Sequence, residues 1–269
     1  MSTPDAAAKV PPTSFLIVDT ESVPDGKLLG MVKYPDDKLS PDEAIQKAQA
    51  EAREKSRDGS DFLPVTFQYP IAVCVIRVGP DFTLQKITSI DAPQFRPRAI
   101  VEGFWTGLAR HKATLVTFNG RGFDLPLLEL AAFRYGCASR DYFLNNRGRY
   151  GTHFDILAWL NNFGACRHAG GLDLLSKMLG KPGKMTVAGD QVYGLFQQGK
   201  LQEINDYCMF DTLDTYFAFL RTRVLTGDLT LEKEQELVKQ ARVFLTDKVA
   251  ELPALTQYLS NWGEWSSWP

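Results

Sequence analysis

The sequence has little of what builds a disulfide framework or a zinc site. Its 269 residues include four scattered cysteines, and no two of them have the C-x-x-C spacing typical of zinc and redox motifs. With three histidines in the whole chain, a histidine-rich metal site is not expected either. We therefore expect reduced thiols and a cytoplasmic location.

Long apolar runs and a surplus of positive charge are missing too. No stretch approaches eighteen consecutive apolar residues, and residues 1–13 lack the basic start and apolar segment of a signal peptide, so we expect no membrane partner. Lys and Arg number 30 against 32 for Asp and Glu, a net charge of −2. Such a chain does not coat duplex DNA by bulk attraction, so any contact with nucleic acid must come from a local patch.

What the chain does contain is enough apolar residues for a sizeable core, 44% of its length. Their order predicts an α/β fold, a mixed sheet flanked by helices. The first strand, residues 14–19, should be central because four consecutive apolar residues suggest burial on both faces. Further strands are expected at residues 71–78, 83–90 and 114–118. Helices are expected at residues 99–111, 125–135, 156–163, 172–179, 187–197, 201–225 and 229–248.

A polar segment, residues 25–69, interrupts this pattern after the first strand. Within it, the sequence Ser40-Pro41-Asp42-Glu43 is typical of a helix start, with an N-cap serine and a capping-box glutamate. The segment has too few apolar residues for a core of its own, so we interpret it as an insertion in a domain that spans residues 14–225. Residues 1–13 should be flexible, and residues 226–269 should form a helical C-terminal extension.

Acidic residues follow or interrupt three of the predicted elements. Asp19 and Glu21 project to the same side of the first strand, about 6–7 Å apart, which suits a divalent cation. Asp124 ends the segment Asn119-Gly-Arg-Gly-Phe-Asp124 after a later strand, where it could equally be a helix N-cap. In isolation, Asp19 and Glu21 could also be two solvated acids.

The third acidic position lies inside the predicted helix 201–225. Tyr207 and Asp211 are four residues apart and share one helical face, which could be a simple side-chain contact. However, Asp211 lies among large apolar residues, where an unpaired charge is costly. A bound cation would offset that cost.

Together the patterns D-x-E, N-x(3)-F-D and Y-x(3)-D resemble the three motifs of the DEDD (DnaQ-like) exonuclease superfamily, and the tyrosine is that of its DEDDy branch. Residues 171–184 are similar to stand-alone bacterial exonucleases related to the proofreading domain of family-B DNA polymerases. The resemblance covers residues 14–223. One departure is Asp214, where many relatives have Asn.

The resemblance implies a ribonuclease-H-like fold and a two-metal 3′→5′ exonuclease. Oxygen ligands at all four acids favour Mg²⁺ or Mn²⁺ over zinc. By analogy, Asp19 bridges both ions, Glu21 and Asp211 bind the first, and Asp124 binds the second. Tyr207 would orient the attacking water.

Five further residues are expected to contact the substrate: Thr20, Asn119, Phe123, Lys181 and Lys184. Phe123 would stack on or wedge beside a base, and the two lysines would lie near phosphates, unless they simply belong to a solvated face. The expected substrate is the 3′ end of a single strand, with DNA preferred. An exoribonuclease, or an inactive nucleic-acid-binding or scaffold protein on the same fold, remains an alternative.

Two other patterns are interpreted as structural. Asp155 is expected to be an acid at the N-terminus of a helix, where it complements the helix dipole. Trp262, Trp265 and Trp268 recur every third residue, and we expect their rings to pack against the core or a partner.

Overall fold

The structure is a computed structural model that describes residues 12–57, 59–147, 152–185 and 189–267. Several predicted features fall outside these ranges. They are most of the N-terminal segment 1–13, the start of the helix expected from residue 187, and Trp268.

Five strands form one mixed sheet in the order β3-β2-β1-β4-β5. Their bounds are Phe15–Pro24 (β1), Gln68–Val78 (β2), Leu84–Ser89 (β3), Thr114–Thr117 (β4) and His153–Asp155 (β5). Strand β1 runs antiparallel to β2 and parallel to β4. Because the consecutive residues Leu16, Ile17 and Val18 are all buried, both faces of β1 are covered, which confirms the prediction of a central strand.

Helices cover both faces of this sheet. In the described ranges the α-helices are Gly26–Lys33 (α1), Pro41–Lys55 (α2), Pro97–His111 (α3), Asp124–Tyr135 (α4), Ile156–Leu160 (α5), Gly171–Met178 (α6), Val192–Gln197 (α7), Leu201–Leu225 (α8), Leu231–Lys248 (α9) and Leu255–Ser260 (α10). Ile17 packs on one face with α8, whereas Leu16 and Val18 pack on the other with α3 and α4. The predicted mixed sheet flanked by helices is confirmed. None of the helices in these ranges is long and apolar enough to cross a membrane.

Helix α8 has the same ends as the helix predicted at residues 201–225. The region around residue 155 differs from the prediction, because residues 153–155 form the edge strand β5, which pairs with β4. The helix expected at residues 156–163 ends at Leu160, since Asn162 and Phe163 have positive φ angles of 46° and 53°. Pairing with a strand 38 residues earlier could not be seen in a three-residue pattern.

The insertion after β1 contains α1 and α2. The capping box at Ser40 is present as predicted. The expectation that the insertion lacks a core was wrong, because Leu29, Ile45 and Leu63 are buried in a small cluster between the two helices. Tyr193 of α7 packs against this cluster, so the insertion is attached to the rest of the chain through apolar contacts.

The C-terminal extension packs on α8. The Trp262 ring lies 5.1 Å from the Phe217 ring, and the Trp265 ring lies 4.7 Å from the Arg221 guanidinium. Packing of both tryptophans against the core is therefore confirmed.

Candidate active site

Three carboxylates meet where β1 extends beyond its pairing with β4. Asp19 and Glu21 come from β1, Asp211 comes from α8, and one carboxylate oxygen of each lies within 4.8 Å of the other two. The last β1 residue that pairs with β4 is Ile17, so the two strand acids lie just past that pairing. Since alternate side chains of a strand share one face, Asp19 and Glu21 both point toward α8.

A buried contact fixes α8 against β1 at this point. The Cys208 thiol donates a hydrogen bond to the backbone carbonyl of Asp19, with 3.3 Å between sulfur and oxygen. Across the sheet, Asp19 pairs with Cys74, and both cysteines are buried. Because Asp211 lies three residues after Cys208, about one turn along the helix, this contact brings its carboxylate alongside Asp19.

Asp124 reaches the site from the loop after β4. It is the first residue of α4 and is 2% exposed, and its Oδ1 atom accepts a hydrogen bond from the Thr20 hydroxyl at 2.7 Å. The N-cap position belongs to Phe123, so the alternative interpretation of Asp124 as an N-cap is wrong. Thr20 lies between the two acids of β1 and thus connects Asp124 to them. Asp124 itself is outside the group of three carboxylates within 4.8 Å.

The four acids repel one another electrostatically. Burial first, and then the charges of Asp124, Asp211 and Glu21, raises the pKa of Asp19 well above its ordinary value. Burial and the neighbouring charges of Asp211 and Asp124 likewise raise the pKa of Glu21. Burial raises the pKa of Asp124 to about 7, and burial together with the charge of Asp214 raises the pKa of Asp211 to about 7. Such a cluster is strained without a cation.

The residues present fit divalent metal ions. The Asp19 Oδ2 atom is buried and has no hydrogen-bond partner in the described part of the chain. A buried oxygen without a donor destabilises the fold, and a cation would satisfy it. The donors are all carboxylate oxygens, the ligands that Mg²⁺ and Mn²⁺ prefer.

Tyr207 faces the same group of acids. It is buried on α8, one turn before Asp211. Burial raises the pKa of its hydroxyl, and the charges of Asp211, Glu21 and Asp19 raise that pKa further. The phenol therefore stays protonated at neutral pH, so it can donate a hydrogen bond but cannot serve as a general base.

The loop that carries Asn119 is held by Asp155. The Asp155 carboxylate accepts hydrogen bonds from the backbone N–H groups of Asn119 at 3.0 Å, Arg121 at 2.8 Å and Ala158 at 3.1 Å. Its expected place at a helix N-terminus is confirmed, since it caps α5. Sequence reasoning missed the contacts with the loop, which join residues 34 and 36 positions apart.

The two candidate phosphate contacts lie in different environments. Lys184 is exposed, and its charge acts to lower the pKa of Asp211 against the larger effects of burial and Asp214. Lys181 is 3% exposed, with its ammonium 4.2 Å from the Trp262 ring and hydrogen-bonded to the Gly263 carbonyl at 3.3 Å. The prediction of a phosphate contact is therefore wrong for Lys181, because the C-terminal extension covers its ammonium. For Lys184 it stays a prediction.

Two further residues near the site have unexpected surroundings. The ring of Phe62, from the insertion, lies 5.9 Å from the ring of Phe123. Asp214 is buried behind the acidic group, and its Oδ1 atom accepts a hydrogen bond from the Tyr258 hydroxyl at 2.5 Å. The sequence did not single out Phe62, which is one of four aromatic residues in the segment 25–69.

Comparison with known proteins decides the family. Residues 60–262 match a family described as predicted 3′–5′ exonucleases related to the exonuclease domain of PolB. The chain belongs to this family. The matched residues include Asp124, Tyr207 and Asp211, whereas Asp19 and Glu21 precede them. For the two acids of β1, the case therefore rests on their position beside Asp211.

Among solved structures, the chain matches the family B DNA polymerase from the hyperthermophilic archaeon Pyrobaculum calidifontis. The TM-score is 0.49 at 14% sequence identity, over 80% of this chain and 25% of the polymerase. The chain thus spans about a quarter of the length of that polymerase. No curated protein matches the chain.

Proposed function

We propose that the chain is a two-metal-dependent 3′→5′ exonuclease that removes nucleotides from the 3′ end of single-stranded nucleic acid, with DNA as the preferred substrate. We assign catalysis to residues 14–225, with residues 226–269 as a supporting extension. The four free cysteines are compatible with a reducing cytoplasm.

One observation carries the proposal. Asp19, Glu21 and Asp211 place carboxylate oxygens within 4.8 Å of one another, although burial makes that arrangement unfavourable without a cation. A core that needed only packing would not gain from three mutually repelling acids. Metal binding would account for this arrangement of three acids, whereas a purely structural role would not.

We assign Asp19 to both ions, Glu21 and Asp211 to the first ion, and Asp124 to the second. When bound, the ions would supply Lewis acidity, which lowers the pKa of the attacking water and stabilises charge on the leaving 3′ oxygen. The Thr20 hydroxyl, which donates to Asp124, fixes the orientation of that carboxylate.

The remaining roles belong to residues around this group. The Tyr207 hydroxyl donates a hydrogen bond that holds the attacking water in line with the phosphorus. Asn119 and Phe123 contact the terminal nucleotides, and Lys184 lies near a phosphate. Hydrolysis breaks the bond between the last phosphorus and the preceding 3′ oxygen, so it releases a nucleoside 5′-monophosphate and leaves a new 3′ hydroxyl.

The decisive experiment follows shortening of 5′-labelled oligonucleotides, DNA and RNA in parallel, with Mg²⁺ or Mn²⁺. We expect a ladder that shortens from the 3′ end, stops on addition of a chelator and is faster for single strands than for duplex. A closed circular single strand is the matched control, because it offers the same bonds without an end. Efficient cutting of the circle would show that the proposed polarity is wrong.

The same assay separates the alternatives. Faster shortening of RNA than of DNA would make the chain an exoribonuclease. Binding of the labelled strands without shortening, and without uptake of Mn²⁺ in calorimetry, would identify a binding protein on this fold. The Asp19→Ala variant provides the background rate of any contaminating nuclease.

A further inference from the structure

The insertion places an exposed aromatic ring beside the active-site loop. The Phe62 side chain is 58% exposed, and its ring lies 5.9 Å from the Phe123 ring at an angle of 50°. Phe123 directly precedes Asp124 in sequence. The two rings therefore form a continuous apolar surface next to one of the four acids, and part of that surface is open to solvent.

Contacts on the C-terminal side of Phe62 connect it to the acidic group. The next residue, Leu63, is buried in the core of the insertion, and its carbonyl accepts a hydrogen bond from the Gln68 amide at 2.6 Å. The Gln68 side-chain oxygen in turn accepts a hydrogen bond from the Ser22 hydroxyl. Ser22 follows Glu21 at a bulge in β1, so a buried chain of hydrogen bonds relates Phe62 to a proposed metal ligand.

The N-terminal side is fixed more weakly. Asp61 forms an ion pair with Arg53 of α2 at 2.5 Å, and this pair is exposed, so its own contribution to stability is small. Together with Leu63, however, it limits the directions in which the Phe62 ring can point. An exposed ring between two attached neighbours is pre-ordered for a ligand and loses little conformational freedom on binding.

We propose that Phe62 and Phe123 form a nucleobase-binding subsite in which an unpaired base near the 3′ end stacks on the Phe62 ring. This inference rests on the proposed function and gives the insertion a part in substrate binding. Aromatic rings bind any base through its π-face, without needing the net positive charge that this chain lacks. A paired base must first be unpaired and unstacked to reach the rings, which costs energy, so the subsite favours single strands.

The test compares two oligodeoxynucleotides that differ only at the 3′ end. One has normal bases at the last three positions, and the other has abasic nucleotides there. We expect the wild-type protein to prefer the normal strand in kcat/KM, and Phe62→Ala to lose about 10- to 100-fold on that strand alone. The preference should return in Phe62→Trp. Equal losses on both strands, or no loss, would overturn the subsite.

A matched control is Phe133→Ala, which removes a ring that is 89% exposed elsewhere on α4. That variant should keep the wild-type preference. Melting temperature serves as the check on folding, and it should change little for Phe62→Ala because the ring is exposed. A large drop would mean that the ring supports the insertion instead.

A binding measurement separates this inference from the proposed activity. In the Asp19→Ala background, a single strand with 2-aminopurine near its 3′ end should lose fluorescence on binding, because the base stacks. Adding Phe62→Ala should restore most of that fluorescence. If wild-type protein cuts nothing while the quenching still depends on Phe62, the exonuclease proposal fails and the base-binding subsite stands. Quenching that ignores Phe62 rejects the subsite, whatever the activity.

Discussion

Asp155, which is buried, and Asp19, which is half-buried, are two acids of the same sheet with opposite surroundings. The Asp155 carboxylate accepts three backbone hydrogen bonds, from a loop and from the helix that it caps. The Asp19 carboxylate has a buried oxygen without a partner and three other acids nearby. Asp155 lowers the free energy of the fold, whereas Asp19 raises it.

The difference is the one we expect between an acid with a structural role and an acid that binds a metal ion. Burial alone does not distinguish the two, because the Oδ2 atom of Asp19 is removed from water, as Asp155 is. The distinction is whether donors are provided by the chain itself. Where the chain provides no hydrogen-bond donors and places other acids nearby, a bound ligand must stabilise the carboxylate. A divalent cation suits the carboxylate oxygens of this site.

Replacement of Asp19 tests most directly whether this acid binds the metal ions. Asp19→Ala should reduce the hydrolysis rate by on the order of 10³ or more, since the residue is assigned to both ions. Metal-free stability should stay the same or rise, because one of four repelling charges is gone. Gel assays and thermal melts without metal measure the two effects. Substantial remaining activity would remove Asp19 from the metal site.

Tyr207 tests whether orientation of the water matters. Tyr207→Phe keeps the ring and the packing of α8, and it should slow turnover by about 10²–10³, or roughly 2–4 kcal/mol. Affinity for Mn²⁺ should be nearly unchanged, as measured by calorimetry. An unchanged turnover rate with a slightly altered melting temperature would make Tyr207 a core residue only.

Replacement of Asp155 tests whether this acid has the structural role that its hydrogen bonds indicate. Asp155→Asn keeps the shape but turns one acceptor into a donor facing backbone N–H groups, so it should lower the free energy of unfolding by about 1–3 kcal/mol. Chemical denaturation measures this loss. KM should rise more than kcat falls, because the Asn119 loop loses its support. If activity disappeared while stability did not change, Asp155 would belong with the catalytic acids.

The smallest expected effect is a pH dependence of the metal-free protein. The pKa values of Asp124 and Asp211 are about 7 in the fold against 3.8 for free side chains, so the folded state favours their protonated forms. Their contribution to stability is complete below about pH 4 and is lost as the pH rises through 7. Melting temperature should therefore fall over this range by a few degrees more in wild type than in Asp211→Asn.

Added Mn²⁺ should cancel that difference, because the cation stabilises the charged carboxylates. The comparison with Asp211→Asn is needed because burial lowers the pKa of His153 to about 4, which acts in the opposite direction over part of this range. A wild-type melting temperature that responds to neither pH nor Mn²⁺ would argue against the metal site.

The sequence predicted the features that depend on local pattern. Both ends of helix α8 were predicted correctly, because residues 201–225 contain no proline or glycine and have a long apolar pattern. The central place of β1 followed from four consecutive apolar residues. The three acidic motifs were recognisable because each lies at a fixed position relative to a strand or helix.

Features that depend on distant partners were missed or mistaken. Lys181 looked like a surface cation, but the segment that covers its ammonium lies 82 positions later. Two other contacts also join residues that are far apart in sequence. They are the hydrogen bonds between Asp155 and the Asn119 loop and the ring contact of Phe62 with Phe123. Periodicity within a window of residues contains no information about such pairs.

The contact between Cys208 and Asp19 joins residues 189 positions apart. Loops of that size close late in folding, and here closure also brings repelling charges together. The site therefore forms only when α8 has joined β1, so under our proposal an incompletely folded chain would not hydrolyse nucleic acid. After dilution from denaturant, hydrolysis should then recover only once the native state has formed, whereas helix content can recover earlier.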